Sequence, residues 1–578
     1  MIKTTGKTRL IAFILSISAL AAVLIISSCS PGGNGAQTQS TEKVPDAPAT
    51  VTGWFDYGTA LYLRDKFTPG TKQKISFQMA KNEKEGFEYV VVSDGDVDGL
   101  RCEVSPLSDG NGHALNGTVY VAWQINVRRP DLSHKKGYTP DPLLEQDNPY
   151  QGGSFDLKSG RAKTLYVQYA TDINTAPGTY TGVLEIKRGG QTLLSGDVSV
   201  TVRDVYYDEK TESKDLFQYG YSKYDPGFGG PGPDSAPNMD TGHYNQFAGV
   251  ETDVAAVCNL LQQYADFMLD NRLSPWHLPL KDELLDDPAL VSKYMDNPRQ
   301  TLVVLNNSDT FDEQKKVIEE KGWADKICAY CGDEPVNEQM FNNFRNIALS
   351  TGSRLGTTKF LCAFGVMYVQ ELLAFDPPII ERLGEFTTLH CPDVYTAFGH
   401  QPTRDYMYKL RRERGDTLLW YDAGPAYGDY VNRPHILTCQ SGLEKRIIYW
   451  QQYLLDFDGF LYFHTTKWNM YLDFWARDYE DAETPLLKPT EPYEGGGVLM
   501  YWDPVTGAPV GSLSLESIRD GIEDFQLMKM AERAVGRAAV LEYVNKVTTG
   551  HTEFTSDGDV LEQARAALFD IVESGAAR

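Results

Sequence analysis

Three rhythms of apolar and polar residues divide the chain. The first is a block. Leu10–Ser30 carries no charge, and Leu10–Ile26 is mostly Leu, Ile, Ala and Val. The second runs from about 51 to 205. Short β-branched and aromatic runs, partly alternating with polar residues, occur at Ile75–Met79, Phe87–Val92, Val119–Trp123, Thr164–Tyr169, Tyr180–Ile186 and Val198–Val202. Gly, Pro and Asn/Asp turns separate them, which predicts a β-sandwich. The third begins after Asp215, where apolar strands alternate with amphipathic helices. Expected strands are Leu216–Gly220, Leu273–Trp276, Thr301–Leu305, Ile327–Cys331, Phe360–Phe364, Thr387–Cys391, Thr417–Tyr421 and Gly459–Phe463. Helices such as Ala255–Asp270, Asn337–Ser350 and Leu443–Asp456 fall between them. Eight such units over residues 206–495 predict a TIM-like (β/α)8 barrel. An open doubly wound sheet is the alternative, but no Gly-rich phosphate loop follows any strand. Residues 496–578 read as a small C-terminal extension of one or two strands, then helices near 517–534, 536–547 and 559–575.

The apolar block follows Lys3, Lys7 and Arg9 and ends in small residues, the form of an export signal over residues 1–28. Ile26-Ser-Ser-Cys29 resembles the bacterial lipobox, which implies cleavage before Cys29 and attachment of lipid to its sulfur. Residues 29–50 then read as a flexible tether of Gly, Ser, Thr, Gln and Pro. The expected product is a lipoprotein held outside the cytoplasm, at the cell surface or in the periplasm, by acyl chains on Cys29. An uncleaved transmembrane anchor is the competing reading, and no stop-transfer charge cluster supports it. No later segment is apolar enough to span a bilayer.

Formal charge is −25, and removing the leader's three cations makes it −28. That disfavours nucleic acid and polyanionic glycans as partners. It suits a neutral ligand. The chain has 33 Tyr, 25 Phe and 9 Trp, and aromatic faces pack on the C–H faces of sugars; a large aromatic core explains them equally well. The cysteines other than Cys29 do not form a disulfide framework. Cys328-Ala-Tyr-Cys331 has CxxC spacing but lies in an expected buried strand with no second pair. Without an HExxH or a paired-His spacing, no metal or cofactor site is written in the sequence.

In a barrel of this kind chemistry sits at the strand C-termini. The fourth strand ends Tyr330-Cys-Gly-Asp333-Glu334-Pro335, so two adjacent carboxylates emerge where an apolar run stops. Either they cap the following helix, or they act on a substrate. Ordinary retaining glycosidases need carboxyls about 5–5.5 Å apart on opposite sides of the anomeric carbon. Neighbours in sequence usually point differently. They suit chemistry in which the substrate's own 2-acetamido oxygen is the nucleophile.

The segment Tyr330…Asp333-Glu334-Pro335 resembles the catalytic segment of glycoside hydrolase family 123, the β-N-acetylgalactosaminidases, and of the wider family sharing their barrel. Ala80-Lys-Asn-Glu-Lys-Glu-Gly-Phe87 and Ala176-Pro-Gly-Thr-Tyr-Thr-Gly182 resemble the sandwich of that family. Leu419-Trp-Tyr-Asp-Ala-Gly-Pro425…Asn432 resembles the seventh-strand region, Gly459–Trp468 the eighth, and Ser514–Asp524 the signature after the barrel. The resemblance implies that Asp333 orients and stabilises the acetamido group, that Glu334 is general acid and then general base, and that the product keeps the β configuration. Phe463 stands where the eighth strand usually carries Trp, Thr466 where it carries Asn, and Ala423 where the seventh often carries Cys. These positions bear on which sugar fits.

Tyr330, Trp276, Asp393, Tyr395, Trp420, Tyr421, His464 and Trp468 lie at or just beyond expected strand ends and are candidate sugar contacts. Core or rim packing explains any one of them equally well. The Gly/Pro-rich loop Tyr224–His243 is expected on the catalytic face. Ile518–Asp524 reads as a helix start with internal ion pairs. Two further readings stay open: a glycosidase of the same fold with another sugar, and a non-catalytic glycan-binding lipoprotein.

Overall fold

The computed structural model describes residues 49–127, 136–220, 254–306, 308–366, 377–422, 433–466, 475 and 496–576. The leader, Cys29, most of the tether, the loop 224–243, Ala423 and Trp468 lie outside the described residues.

Twelve strands build the N-terminal part among the described residues. They are β1 (Val51–Asp56), β2 (Lys74–Lys81), β3 (Lys84–Ser93), β4 (Val97–Val104), β5 (Leu107–Ser108), β6 (Ala114–Leu115), β7 (Thr118–Val127), β8 (Gly137–Glu145), β9 (Phe155–Leu157), β10 (Lys163–Ala170), β11 (Gly178–Arg188) and β12 (Gln191–Tyr206). One sheet has the order β1-β3-β10-β7-β8 and the other β2-β12-β11-β4-β9, with β5 beside β11 and β6 beside β5. Alternate residues of both sheets, among them Phe77, Phe87, Val167, Leu184 and Val200, fill the space between them. This is the expected sandwich.

Seven parallel strands follow: β13 (Leu216–Phe217), β14 (Val303–Leu305), β15 (Ile327–Asp333), β16 (Phe360–Phe364), β17 (Leu389–Pro392), β18 (Thr417–Tyr421) and β19 (Gly459–Tyr462). Their order is β13-β19-β18-β17-β16-β15-β14, a nearly closed barrel. The expected second strand differs. Between β13 and β14, Ser274–Trp276 forms only an isolated bridge to Phe217, and the Val304 N–H donates to the Trp276 carbonyl at 2.8 Å. Pro275 has no N–H to give, so no ladder extends there.

Helices pack outside: α1 (Val254–Asp270), α2 (Pro288–Met295), α3 (Phe311–Lys321), α4 (Glu338–Leu355), α5 (Ile379–Gly384), α6 (Val394–Gly399), α7 (Gln401–Arg414) and α8 (Gly442–Leu455). Leu216, Val304, Cys328, Leu361, Cys391, Leu419 and Leu461 point inward and fill the barrel. The strands are thus buried on both faces, which is why they read as continuous apolar runs. Cys328 belongs to that inner cluster and Cys331 to the outer one, so the CxxC thiols lie on opposite faces of β15. The seven described cysteines are all buried and unlinked.

The C-terminal part is a short hairpin, β20 (Tyr501–Trp502) with β21 (Pro509–Val510), then α9 (Leu513–Val535), α10 (Arg537–Val547) and α11 (Gly558–Ala576). α9 starts earlier than expected, because the Ser512 hydroxyl caps it at the Leu515 N–H. Ile518–Asp524 is therefore helix interior, and its charges are buried. A Cβ on Gly521 would meet the Arg446 carbonyl at 2.9 Å, so this glycine lets α9 lie directly on α8. From Ala49 onward the sandwich, barrel and tail are one compact unit.

A buried ion network holds this seam. Arg565 of α11 meets Glu83 at 2.6 Å and Asp524 at 2.7 Å. Arg446 of α8 meets Glu85 of β3 at 2.9 Å and Asp524 at 2.7 Å. Arg519 meets Glu516 at 2.6 Å, and Arg272 meets Glu523 at 3.0 Å. Asp520 and Glu562 complete it through Arg519 and Arg565. Burial pushes the carboxyls of Glu83, Glu85, Asp520, Glu523, Asp524 and Glu562 up. At Glu85 and Asp524, Arg446 and Arg565 outweigh burial and hold the pKa below the ordinary range. At Glu83, Asp520, Glu523 and Glu562 burial wins. Carboxylates outnumber guanidiniums here, so Arg446 and Arg565 each serve more than one of them. No described helix is long and apolar enough to cross a membrane.

Candidate active site

Asp333 ends β15 at the carboxyl rim of the barrel, and Glu334 follows it directly. Within β15 the register against β16 slips: Tyr330 pairs with Leu361, but Asp333 pairs with Ala363. Three residues on β15 therefore span two on β16, a β-bulge. Leu361 and Ala363 both face the barrel interior. The extra residue turns Asp333 onto the same face as Tyr330, where simple alternation would have pointed it away. Gly332 sits in the bulge, and a Cβ there would lie 3.0 Å from Phe344 of α4. The strand end is thus clamped against the helix behind it.

Glu334 has φ of 37°, a left-handed backbone unusual for a residue other than glycine and incompatible with the extended form that Pro335 favours. Its N–H donates to the Ala363 carbonyl at 2.9 Å. Strain of this kind costs on the order of 1–3 kcal/mol and clusters at functional sites. Neither carboxylate caps the following helix. Asn337 does, its side chain accepting from the Met340 N–H. Capping, the competing explanation for the Asp-Glu pair, is therefore ruled out. Asp333 is exposed and Glu334 half-buried.

Tyr421, at the end of β18, reaches across the barrel, and its hydroxyl donates to Glu334 Oε1. The Trp276 and Tyr330 rings meet edge to face at 5.2 Å, also inside the barrel. Asp393, just past β17, accepts from the Thr396 N–H at 3.0 Å and caps α6. Burial pushes its carboxyl up to about 7, and the charge of Glu334 adds to the rise. Asp333, Glu334, Tyr330, Trp276, Tyr421 and Asp393 thus gather at one end of the barrel.

The remaining described candidates have other partners. The Trp420 ring points outward, packs on Phe398 and Phe460, and donates to Gln452 of α8 at 3.3 Å. It is a buried spacer between strand and helix, so its expected sugar contact is corrected: adjacent strand residues face opposite ways, and Tyr421 takes the inner face. Tyr395 lies in the outer core and accepts from Arg433 Nε at 3.3 Å. His464 is buried, and its Nδ1 accepts the Thr466 N–H at 3.0 Å, which leaves the ring proton on Nε2. Thr466 Oγ1 accepts the Gly220 N–H at 3.1 Å.

Asp422, Arg433 and His435 were not expected. Asp422 follows Tyr421 directly, accepts from the Arg433 guanidinium, and lies 2.7 Å from His435 Nδ1. Burial raises its carboxyl, but Arg433 and His435 outweigh it, and its pKa lies below the ordinary value. The position of Asp422 at a strand end is the one signal that could have found it. Among the described residues, no group of three or more His, Cys, Asp or Glu side chains is placed to hold a metal ion.

No protein-family model matches this chain, and no curated protein matches it. Solved structures do. A family 123 glycoside hydrolase from Clostridium perfringens, described for glycolipid glycan hydrolysis, superposes with a TM-score of 0.60 over 91% of this chain and 98% of its own, at 11% identity. The two share a fold. A family 39 glycoside hydrolase from Bacteroides cellulosilyticus WH2 overlaps 80% of this chain and 82% of its own at 10% identity, but its TM-score of 0.29 is too low to bear on the architecture.

Proposed function

We propose that this chain is a lipid-anchored, extracytoplasmic glycoside hydrolase that cleaves β-linked N-acetylhexosamine, N-acetylgalactosamine first among them, with retention and with help from the substrate's own acetamide. The observation that carries the reading is the Asp333–Glu334 pair: adjacent, aimed by a bulge at the mouth of a glycosidase-like barrel, and not used to cap a helix. Adjacent carboxyls on one strand end do not flank an anomeric carbon from two sides. They do fit one role each on a sugar that brings its own nucleophile.

In the first step the acetamido oxygen bonds to C1 as the C1–O glycosidic bond breaks. Glu334 gives its proton to the departing oxygen, and Asp333 accepts a hydrogen bond from the acetamide N–H and balances the positive charge forming on the oxazolinium ring. In the second step water attacks C1, Glu334 takes back a proton, and the ring opens. Two inversions leave the β configuration. Trp276 and Tyr330 offer apolar faces for the sugar. The chemistry asks for no metal.

A chromogenic β-N-acetylgalactosaminide tests the reading: the aglycone is released, and a thiazoline mimic of the oxazoline inhibits. A second reading, the same fold with another sugar, is favoured by Phe463 and Thr466 standing where the related family has Trp and Asn. Turnover of other glycosides without thiazoline inhibition would select it, and glycan binding without any turnover would select a lectin. The anchor has its own test: radiolabelled palmitate enters the wild-type protein in a bacterial host and fails to enter Cys29→Ala.

A further inference from the structure

We infer that Tyr421 is a positioning residue for the acid–base carboxyl: its phenol fixes which oxygen of Glu334 holds the proton. The inference rests on the reading of Glu334 given above. Three observations support it. The Tyr421 hydroxyl donates to Glu334 Oε1 from the opposite side of the barrel. Tyr421 itself is only 3% exposed, fixed within the inner cluster by its own strand and hydrogen-bonded through β18 to β19. The next residue back on the other side, Asp393, bridges to Tyr421 in parallel register, so the ring is framed by β17 as well.

Glu334 needs such a fixture. It follows a bulge, stands at the end of a strand, and has a left-handed backbone. Its own strand therefore does not dictate where its carboxyl points. A carboxylic acid can hold its proton on either oxygen, and only one of them faces a glycosidic oxygen at a given sugar pose. A phenol O–H on Oε1 makes that oxygen an acceptor, so the acid proton sits on Oε2. In the glycosylation step the Oε2–H bond breaks as the leaving oxygen takes the proton. The carboxylate that remains is held by the same phenol, and Oε2 later takes a proton from the attacking water. Tyr421 neither loses nor gains a proton over the cycle. Its part is to remove the rotational freedom of the acid, the kind of orientation on which general acid catalysis depends. A tyrosine serves because its ring is stiff and buried while the hydroxyl reaches the polar mouth.

The test is Tyr421→Phe, which keeps the ring and removes the hydroxyl, assayed on two aryl β-N-acetylgalactosaminides. Phenol is a poor leaving group that needs the acid; 2,4-dinitrophenolate departs without it. The expected result is a fall in kcat/KM on the phenyl glycoside at least about 10-fold larger than on the dinitrophenyl glycoside, since positioned proton transfer is worth about 10²–10⁴-fold in all. Equal losses on both glycosides would overturn the inference, because a sugar contact or a general loosening acts on both alike. No loss on either would overturn it as well. So would collapse of the variant's thermal transition, which would assign the hydroxyl to stability. Glu334→Gln run alongside separates the two claims. Full activity of Glu334→Gln on the phenyl glycoside removes the role of Glu334 and the inference with it. Selective loss in Glu334→Gln without selective loss in Tyr421→Phe removes the inference alone.

Discussion

Two places in this molecule crowd carboxylates together, and they do opposite things with them. At the seam, Glu83, Glu85, Glu516, Asp520, Glu523, Asp524 and Glu562 are packed around Arg272, Arg446, Arg519 and Arg565, and each lies within 4.0 Å of a guanidinium. They are buried, and the arrangement joins sandwich, barrel and tail. At the barrel mouth, Asp333 and Glu334 stand side by side at a bulged strand end, one exposed and one half-buried, with a phenol on Glu334. The seam uses charge to fix architecture. The mouth holds charge where a substrate can reach it. Charged residues in sequence do not tell the two apart; burial and the chemistry of the partner do.

Substitutions at the mouth should have the largest effect on activity. Asp333→Asn and Glu334→Gln are expected to cut kcat/KM by about 10²–10⁴-fold each, with thermal midpoints close to wild type. Full activity in either would move the chemistry elsewhere. The seam should behave in reverse. Arg565→Met leaves Glu83 without its cation and Asp524 with Arg446 alone, and losing one side of a buried pair costs about 3–5 kcal/mol. Urea unfolding should show that loss, while the fraction still folded keeps its specific activity.

Asp393 sharpens the contrast, because it lies near the mouth yet is bound up in capping. Burial holds its pKa at about 7, above the ~3.9 of an unfolded aspartate. Between those values the folded state binds more protons than the unfolded one, so this residue's contribution is intact below pH 4 and declines as pH rises through 7. Asp393→Asn removes the decline. Its unfolding free energy relative to wild type should rise by about 4 kcal/mol between pH 4 and pH 8. A constant difference across pH would exclude titration of Asp393 as the cause. The smallest effect is expected at Trp420, where Trp420→Phe should lower stability by about 1 kcal/mol and leave kcat/KM unchanged. A large loss of activity would put that ring in the sugar site after all.

How far the sequence could be read follows from the same physics. The barrel strands announce themselves as apolar runs because both faces are buried. That continuity also hides parity, and nothing in Thr417–Tyr421 says whether Trp420 or Tyr421 faces inward. The second strand fails through Pro275. The sandwich strand β8 is easily passed over because it contains Pro140 and Pro142, which an edge strand tolerates. Asp333 and Glu334 are legible because they end a strand. The bulge that aims Asp333 has one local trace, Gly332, and the left-handed backbone of Glu334 has none. The Asp422–Arg433–His435 group depends on a chain return after β18, which no local pattern encodes. The ion pairs within Ser514–Asp524 are legible at helical spacing, but their burial against Glu83 and Glu85 is not.

In the proposed function the carboxyl pair at the mouth serves a nucleophile supplied by the substrate. A series of β-N-acylgalactosaminides with zero, one, two and three fluorines on the acyl methyl tests it directly, since each fluorine weakens the amide oxygen as a nucleophile. With the acetamide as nucleophile, log(kcat/KM) falls steeply and steadily along the series. A flat dependence would mean that the sugar's amide does not attack, and would contradict the role assigned to Asp333 and Glu334.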